Sequence, residues 1–357
     1  MKILINALSG NGDALMFSPS LKLLKENIPG AEIDMLVMFK SVKQMYSNSP
    51  YLNEIFFSNF LKQSKLKSLG EINTIRRKRY DVSINVYPAN RVEYNVLNFR
   101  LGAKKRIAHH YTHTNSSRME FLNTDLVNEI PNRHNVLQNL DLIKQLIPVS
   151  DSQAGGLEIF LTEDNVSKAE EWGREVNPDG KMLVGFHAGS STMKNHINKR
   201  WDVDKYAEVG SRLMSEYNAK ILLFGIEHDV NDYINEKLNG QAVIASTPDY
   251  MDSMARLSLC SLFISNDTAF MHSAAAFKIP TVAIFGYTNY LELYPWQTPH
   301  FIVRRQLPCS PCFYNSPKPV ECIWTGQDEF KCIRQISVGE VMNACHKLLS
   351  SNLGNPT

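Results

Sequence analysis

Leu262-Phe263-Ile264-Ser265-Asn266-Asp267-Thr268-Ala269-Phe270-Met271-His272-Ser273-Ala274-Ala275-Ala276, closed by Pro280-Thr281-Val282-Ala283-Ile284-Phe285-Gly286, is the stretch that decides the fold. An apolar run, a polar turn, a helical length of small residues and a second apolar run read as strand, helix, strand, the unit of a parallel α/β sheet. Working outward, the same rhythm predicts strands at 182–186 and 220–224 and helices at 204–216, 230–238 and 250–259. Toward the amino terminus it repeats, with strands at 3–8, 33–37, 82–86 and around Ile107, and helices at 14–26 and 135–146. Between the halves lies Pro148-Val149-Ser150-Asp151-Ser152-Gln153-Ala154-Gly155-Gly156, rich in turn formers, so a domain boundary is expected there, giving domains 1–155 and 156–357. A length of 357 residues suits two domains at about 150 each.

With 43% hydrophobic and 21% charged residues, each half can bury its own core, and disorder is excluded as the governing state. The opening run turns polar at Ser9, too short for a signal peptide or a membrane span, so a cytoplasmic protein is expected. All six cysteines fall between Cys260 and Cys345, and in a reducing compartment structural disulfides are not expected. The net charge of +2 hides an asymmetry: residues 61–121 carry thirteen Lys/Arg against four acids. Such a stretch suits an anionic partner or an acidic membrane surface, or is simply a solvated basic face. Nucleic acid is not expected, because no binding motif accompanies it.

In open parallel sheets ligands bind beyond the carboxyl ends of strands, so the informative residues are in the turns that follow them. Gly10-Asn11-Gly12-Asp13 follows the first strand and opens a helix. Leu15 stands where a dinucleotide fingerprint needs its third glycine, so NAD and FAD are disfavoured. Asp13 is left as a carboxylate in a first helical turn, either complementing the helix dipole or serving chemistry. His187-Ala188-Gly189-Ser190-Ser191-Thr192, with Lys199-Arg200-Trp201 close behind, offers N–H groups, hydroxyls and a cation for a diphosphate. No P-loop pattern is present. Asn266 or Asp267 is placed to cap the helix after 265, whose small-residue start is also an anion site.

These turns together resemble glycosyltransferase family 9, the heptosyltransferases of lipopolysaccharide core assembly. The resemblance is carried by Gly12-Asp13, Lys199-Arg200-Trp201, Asp267-Thr268-Ala269-Phe270-Met271-His272 and Pro280-Thr281-Val282-Ala283-Ile284-Phe285-Gly286, in the family's order. It implies a GT-B architecture: two Rossmann-like domains whose parallel sheets face across a cleft, acceptor on the first and nucleotide sugar on the second. It implies an inverting, metal-independent transfer with Asp13 as general base and with Ser190, Ser191, Thr192 and Lys199 around the diphosphate. Asp229 takes the place of an acid near the ribose, and Asp267, Thr268, Ala269 and His272 meet the sugar and phosphates. Gly12, Arg91, Lys104 and Lys105 are the expected acceptor residues. The expected donor is ADP-heptose, and the acceptor an anionic glycan or glycolipid, reached by an enzyme in the cytoplasm or peripheral on the inner membrane. Ala269 departs from the family's glycine and Asp229 from its usual glutamate.

Outside this pattern, Cys309, Cys312, Cys322 and Cys332 can be read as a structural Zn or Fe site, as free thiols or as disulfides. No cofactor is expected for catalysis. Competing readings are a protein-directed heptosyltransferase acting on autotransporters, suggested by the cysteines, a GT-B nucleotide-sugar epimerase, and a non-catalytic glycan- or nucleotide-binding protein. Should Asp13 not be the base, His109 and His110 are the alternatives.

Overall fold

The computed structural model describes residues 1–112, 118–314 and 319–353, side chains being described as far as Ser350. Contacts divide the chain into two units, Met1–Phe160 and Leu161–Thr357. Residues 156–160 belong with the first, where Glu158 accepts from Lys22 Nζ at 3.0 Å and donates its backbone N–H to Ser18 Oγ at 3.0 Å.

The first unit holds strands β1 (Lys2–Ala7), β2 (Glu32–Val37), β3 (Glu54–Phe57), β4 (Val82–Asn85), β5 (Lys105–His110) and β6 (Asp125–Asn128). They form one parallel sheet in the order β3-β2-β1-β4-β5-β6. The helix expected at 14–26 is two helices, Asn11–Leu15 and Ser18–Asn27. Pro19 has no N–H for the carbonyl of Leu15, so the ladder breaks and restarts with proline in the first turn. The interior of this sheet is partly polar. Asn6 Nδ2 donates to Asn85 and Asn98 at 3.0 Å each, Asn98 to Asn123 and Asn123 to Asn95 at 2.8 Å each, and Ser83 also donates to Asn98. All six of these side chains are buried, and the chain of amides ties β1 and β4 to the helix Val92–Leu101.

The second unit repeats the plan with β7 (Met182–His187), β8 (Ala219–Leu223), β9 (Val243–Ile244), β10 (Leu262–Asn266), β11 (Thr281–Phe285) and β12 (His300–Arg304). Their order is β12-β11-β10-β7-β8-β9, again all parallel. Its core is apolar, built on Phe186, Trp201, Tyr206, Ile264 and Ile284, and extends to Ile336 and Val341 near the carboxyl end. Each unit is Rossmann-like, with its switch in strand order between β1 and β4 in the first and β7 and β10 in the second. Among the described residues no helix is long and apolar enough to cross a membrane.

Candidate active site

At the first switch point β1 ends at Ala7, and the turn through Ser9 is held by Ser9 Oγ donating to Pro88 O at 2.7 Å. Gly10 caps the short helix that carries Asn11, Gly12 and Asp13, all half-buried. Asn11 accepts from Ser41 Oγ at 2.7 Å, and the Tyr46 hydroxyl donates to Ala14 O at 2.7 Å, so both flanks of Asp13 are fixed. Tyr94 donates to Leu8 O at 3.4 Å. Burial raises its hydroxyl's pKa, the Arg91 cation lowers it and the Asp13 carboxylate raises it, which puts all three groups in one electrostatic neighbourhood. Gly12 adjoins Asp13 in the chain, and Arg91 shares with Asp13 the electrostatic surroundings of Tyr94.

Lys104 and Lys105 lie elsewhere. Strand register sets Lys105 beside Val82, and Val82 beside Ile3, at the amino end of the sheet. There Lys104 pairs with Asp81 at 3.1 Å and Lys105 with Asp125 at 3.2 Å. The basic run is therefore spread over both ends of the sheet. His109 is sealed against Tyr87 and Tyr111, and burial depresses its pKa to about 3. His110 bonds Glu120 at 2.6 Å.

The second switch point gathers more. β7 ends in buried His187, whose Nδ1 lies 2.8 Å from Thr268 Oγ1, and the loop 188–192 leads through a 3-10 segment, Met193–Lys199, to Lys199. Lys199 Nζ meets Asp267 Oδ2 at 2.7 Å, the side chains being 17% and 5% exposed. Burial pushes the Asp267 carboxyl's pKa up, but the Lys199 ammonium, His272 and the Thr288 hydroxyl outweigh it, so the group ionises below its ordinary value. Burial holds the pKa of His272 near 4, and its Nδ1 has no hydrogen-bond partner among the described residues. Thr268 caps the helix Ala269–Ala276, whose first residue is Ala269. Next to Lys199, the buried Trp201 donates its backbone N–H to Asn266 Oδ1 and its indole N–H to Ile336 O, each at 3.0 Å.

Ser190 is buried and committed, donating to His196 O at 2.8 Å and holding Arg200. Ser191 and Thr192 are exposed on the loop. Asp229 is exposed in the first turn of the helix His228–Lys237. The acid turned into the site is Glu227, which sequence reasoning missed. A Cβ on Gly189 or on Gly225 would lie 2.5 Å from a Glu227 oxygen, so both glycines are needed for its approach. Burial raises the Glu227 pKa, but His187, 3.7 Å away, and Arg200, 3.9 Å away, draw it below the ordinary value. Its Oε2 is buried and accepts no hydrogen bond among the described residues. Gly225, just after β8, has φ +108°, and no feature of the sequence alone marked the acid two residues on.

Of the three readings of the cysteines, the metal site finds no support. Among the described residues no group of three or more His, Cys, Asp or Glu side chains is placed to hold an ion. Cys309, Cys312, Cys322 and Cys332 are free thiols, and residues 315–318 between them lie outside the described part. Cys332 is packed in the core, where burial lifts its thiol to about 11, and Cys322 Sγ accepts the Phe330 N–H at 3.3 Å. Cys309 and Cys322 are half-buried and Cys312 is exposed.

Two Rossmann-like units, with a cation–carboxylate pair at a helix start in one and a turn-borne acid in the other, define a glycosyltransferase of the GT-B class. The chain belongs to glycosyltransferase family 9 (heptosyltransferase), whose model matches residues 71–322. It is 27% identical over 299 residues to lipopolysaccharide heptosyltransferase 3 of Escherichia coli K12, covering 80% of this chain and 83% of that one. It is 24% identical over 360 residues to lipooligosaccharide heptosyltransferase 2 of Campylobacter jejuni, covering 99% of each. The solved structure of E. coli ADP-heptose LPS heptosyltransferase II shares the fold, with a TM-score of 0.73, 20% identity and 99% of each chain covered.

Proposed function

We propose that this enzyme transfers a heptose from ADP-heptose, with inversion, onto the core of a lipopolysaccharide or lipooligosaccharide. The observation that carries the reading is the buried Lys199–Asp267 pair at a helix start, beside the small-residue loop 188–192. Asp13 removes the acceptor hydroxyl proton, and the freed oxygen attacks the anomeric carbon opposite the diphosphate. The bond from that carbon to the diphosphate oxygen breaks, and ADP leaves with its electron pair. Lys199, Ser191, Thr192 and the N–H groups of Thr268 and Ala269 take up the growing negative charge, so positive charge is supplied without a metal. Asp267 orients Lys199 and, with His272, meets the sugar. Glu227, rather than Asp229, accepts from the ribose hydroxyls through a buried oxygen that takes no hydrogen bond from the described residues. Arg91 and Gly12 hold the anionic acceptor beside Asp13.

The donor by which the E. coli enzyme of solved structure is named, together with the names of the two relatives, supports this choice of sugar and glycan. The test is a panel of ADP-heptose, UDP- and GDP-sugars, with thermal stabilisation and nucleotide release measured in EDTA. ADP-heptose should stabilise most and release ADP when acceptor is added. Stronger stabilisation by a UDP-sugar, or loss of turnover in EDTA, would overturn the donor or the metal-free step.

A further inference from the structure

The helix Lys65–Arg76 packs its inner face on the first unit through Ile72 and Ile75, and Glu71 turns inward to accept from Ser58 Oγ at 2.6 Å and Gln63 Nε2 at 2.7 Å. What it leaves outside is unusual for a solvated surface. Leu66 is 83% exposed, Leu61 60% and Leu69 43%. Lys62, Lys65 and Lys67 stand among them, exposed and without an ion pair among the described residues. Glu71 is the one acid between Leu61 and Arg79, against seven basic residues.

We infer that this leucine–lysine surface docks the enzyme on an anionic lipid bilayer. The chemistry fits a plane of headgroups: the leucines enter the acyl boundary while the lysine stems lie along it and their ammonium groups stay at the phosphates. A second copy of the same surface is a poor occupant, because it would set lysine against lysine. The placement fits as well. Parallel register runs from Ala7 through Val37 to Phe57, so the loop that follows β3 leaves the sheet at the same end as the Asp13 turn. A bilayer touching Leu61 and Leu66 therefore lies on the acceptor end of this unit. The inference goes beyond the proposed transfer, and it is read from lipid binding, with turnover on a soluble acceptor separating docking from damage to the enzyme.

The test is co-sedimentation of the full chain with vesicles of phosphatidylcholine, with and without phosphatidylglycerol at about one third, in about 0.1 M salt. Wild type should partition at least about tenfold better onto the anionic vesicles. Leu66→Ser combined with Leu69→Ser should lower that partition about tenfold or more with an unchanged melting curve, since neither side chain is in the core. Turnover of that double variant on a delipidated, water-soluble acceptor should match wild type. Equal binding to neutral and anionic vesicles, undiminished binding by the double variant, or loss of its turnover on soluble acceptor would each overturn the docking role. Failure of the sugar transfer itself would appear separately, as wild type without activity on any acceptor.

Discussion

Replacing Lys199 by Ala should have two separable effects, on stability and on donor binding. At 2.7 Å the gross attraction to Asp267 is about 6 kcal/mol for an effective dielectric constant of about 20, much of it offset by desolvation. Removing one partner of a buried pair leaves the other charge uncompensated and costs about 3–5 kcal/mol. All four tryptophans, Trp172, Trp201, Trp296 and Trp324, belong to the second unit, so intrinsic fluorescence follows that unit's unfolding in urea. With a slope of about 2 kcal/mol per molar, the midpoint should fall by about 2 M at pH 7.5. The pH dependence fixes the cause. In wild type the Asp267 carboxyl's pKa is lowered, so its contribution is complete above the unfolded value and is lost as pH falls through the folded one. Without Lys199 burial dominates and the folded pKa rises above the unfolded one, so the penalty is full at neutral pH and shrinks as the carboxyl protonates. The deficit at pH 5 should be clearly smaller than at pH 7.5, and adding Asp267→Asn should recover part of it without restoring donor affinity. A midpoint drop below about 0.3 M, or one equal at both pH values, would refute the reasoning, being far from what a slope of this size predicts.

Asp13→Asn should cut turnover about 10²–10⁴-fold with saturating substrates while ADP-heptose affinity holds in calorimetry; retention of more than about a third of the rate would remove Asp13 from the chemistry. Gly189→Ala places a methyl 2.5 Å from a Glu227 oxygen, a flexible side-chain end that can swing aside. Stability should change by less than about 1 kcal/mol, whereas ADP affinity should fall about tenfold as the ribose contact is lost; unchanged affinity would show that Glu227 does not face the nucleotide.

The central strands were legible because they are buried on both faces and read as unbroken apolar runs, as in Ile3–Leu4–Ile5 and Phe263–Ile264. Strands β3, β6, β9 and β12 were not. They lie at or next to the sheet margins, half-exposed, and Asp125-Leu126-Val127-Asn128 carries little more apolar signal than a loop. In the site, Lys199 and Asp267 were readable because each follows a strand at a switch point. Glu227 was not, since nothing in Gly225-Ile226-Glu227-His228-Asp229 says which acid turns inward until the two glycines are seen against it. Lys104 and Lys105 were misplaced because charge counted along a chain does not say which end of a sheet the charge occupies.

The amide chain beneath the Asp13 turn bears on how this domain can vary over generations. Asn98 accepts from two neighbours and donates to a third, and Asn123 links it onward to Asn95. An apolar replacement at any one position strands a buried donor or acceptor on the next, whereas replacing several together with matched hydrocarbon need not. Single-step drift is thus blocked where concerted change is not. Asn6, Ser83, Asn85, Asn95, Asn98 and Asn123 should persist or be exchanged as a set across descendants of this sequence, even where the surrounding aliphatic residues interchange freely.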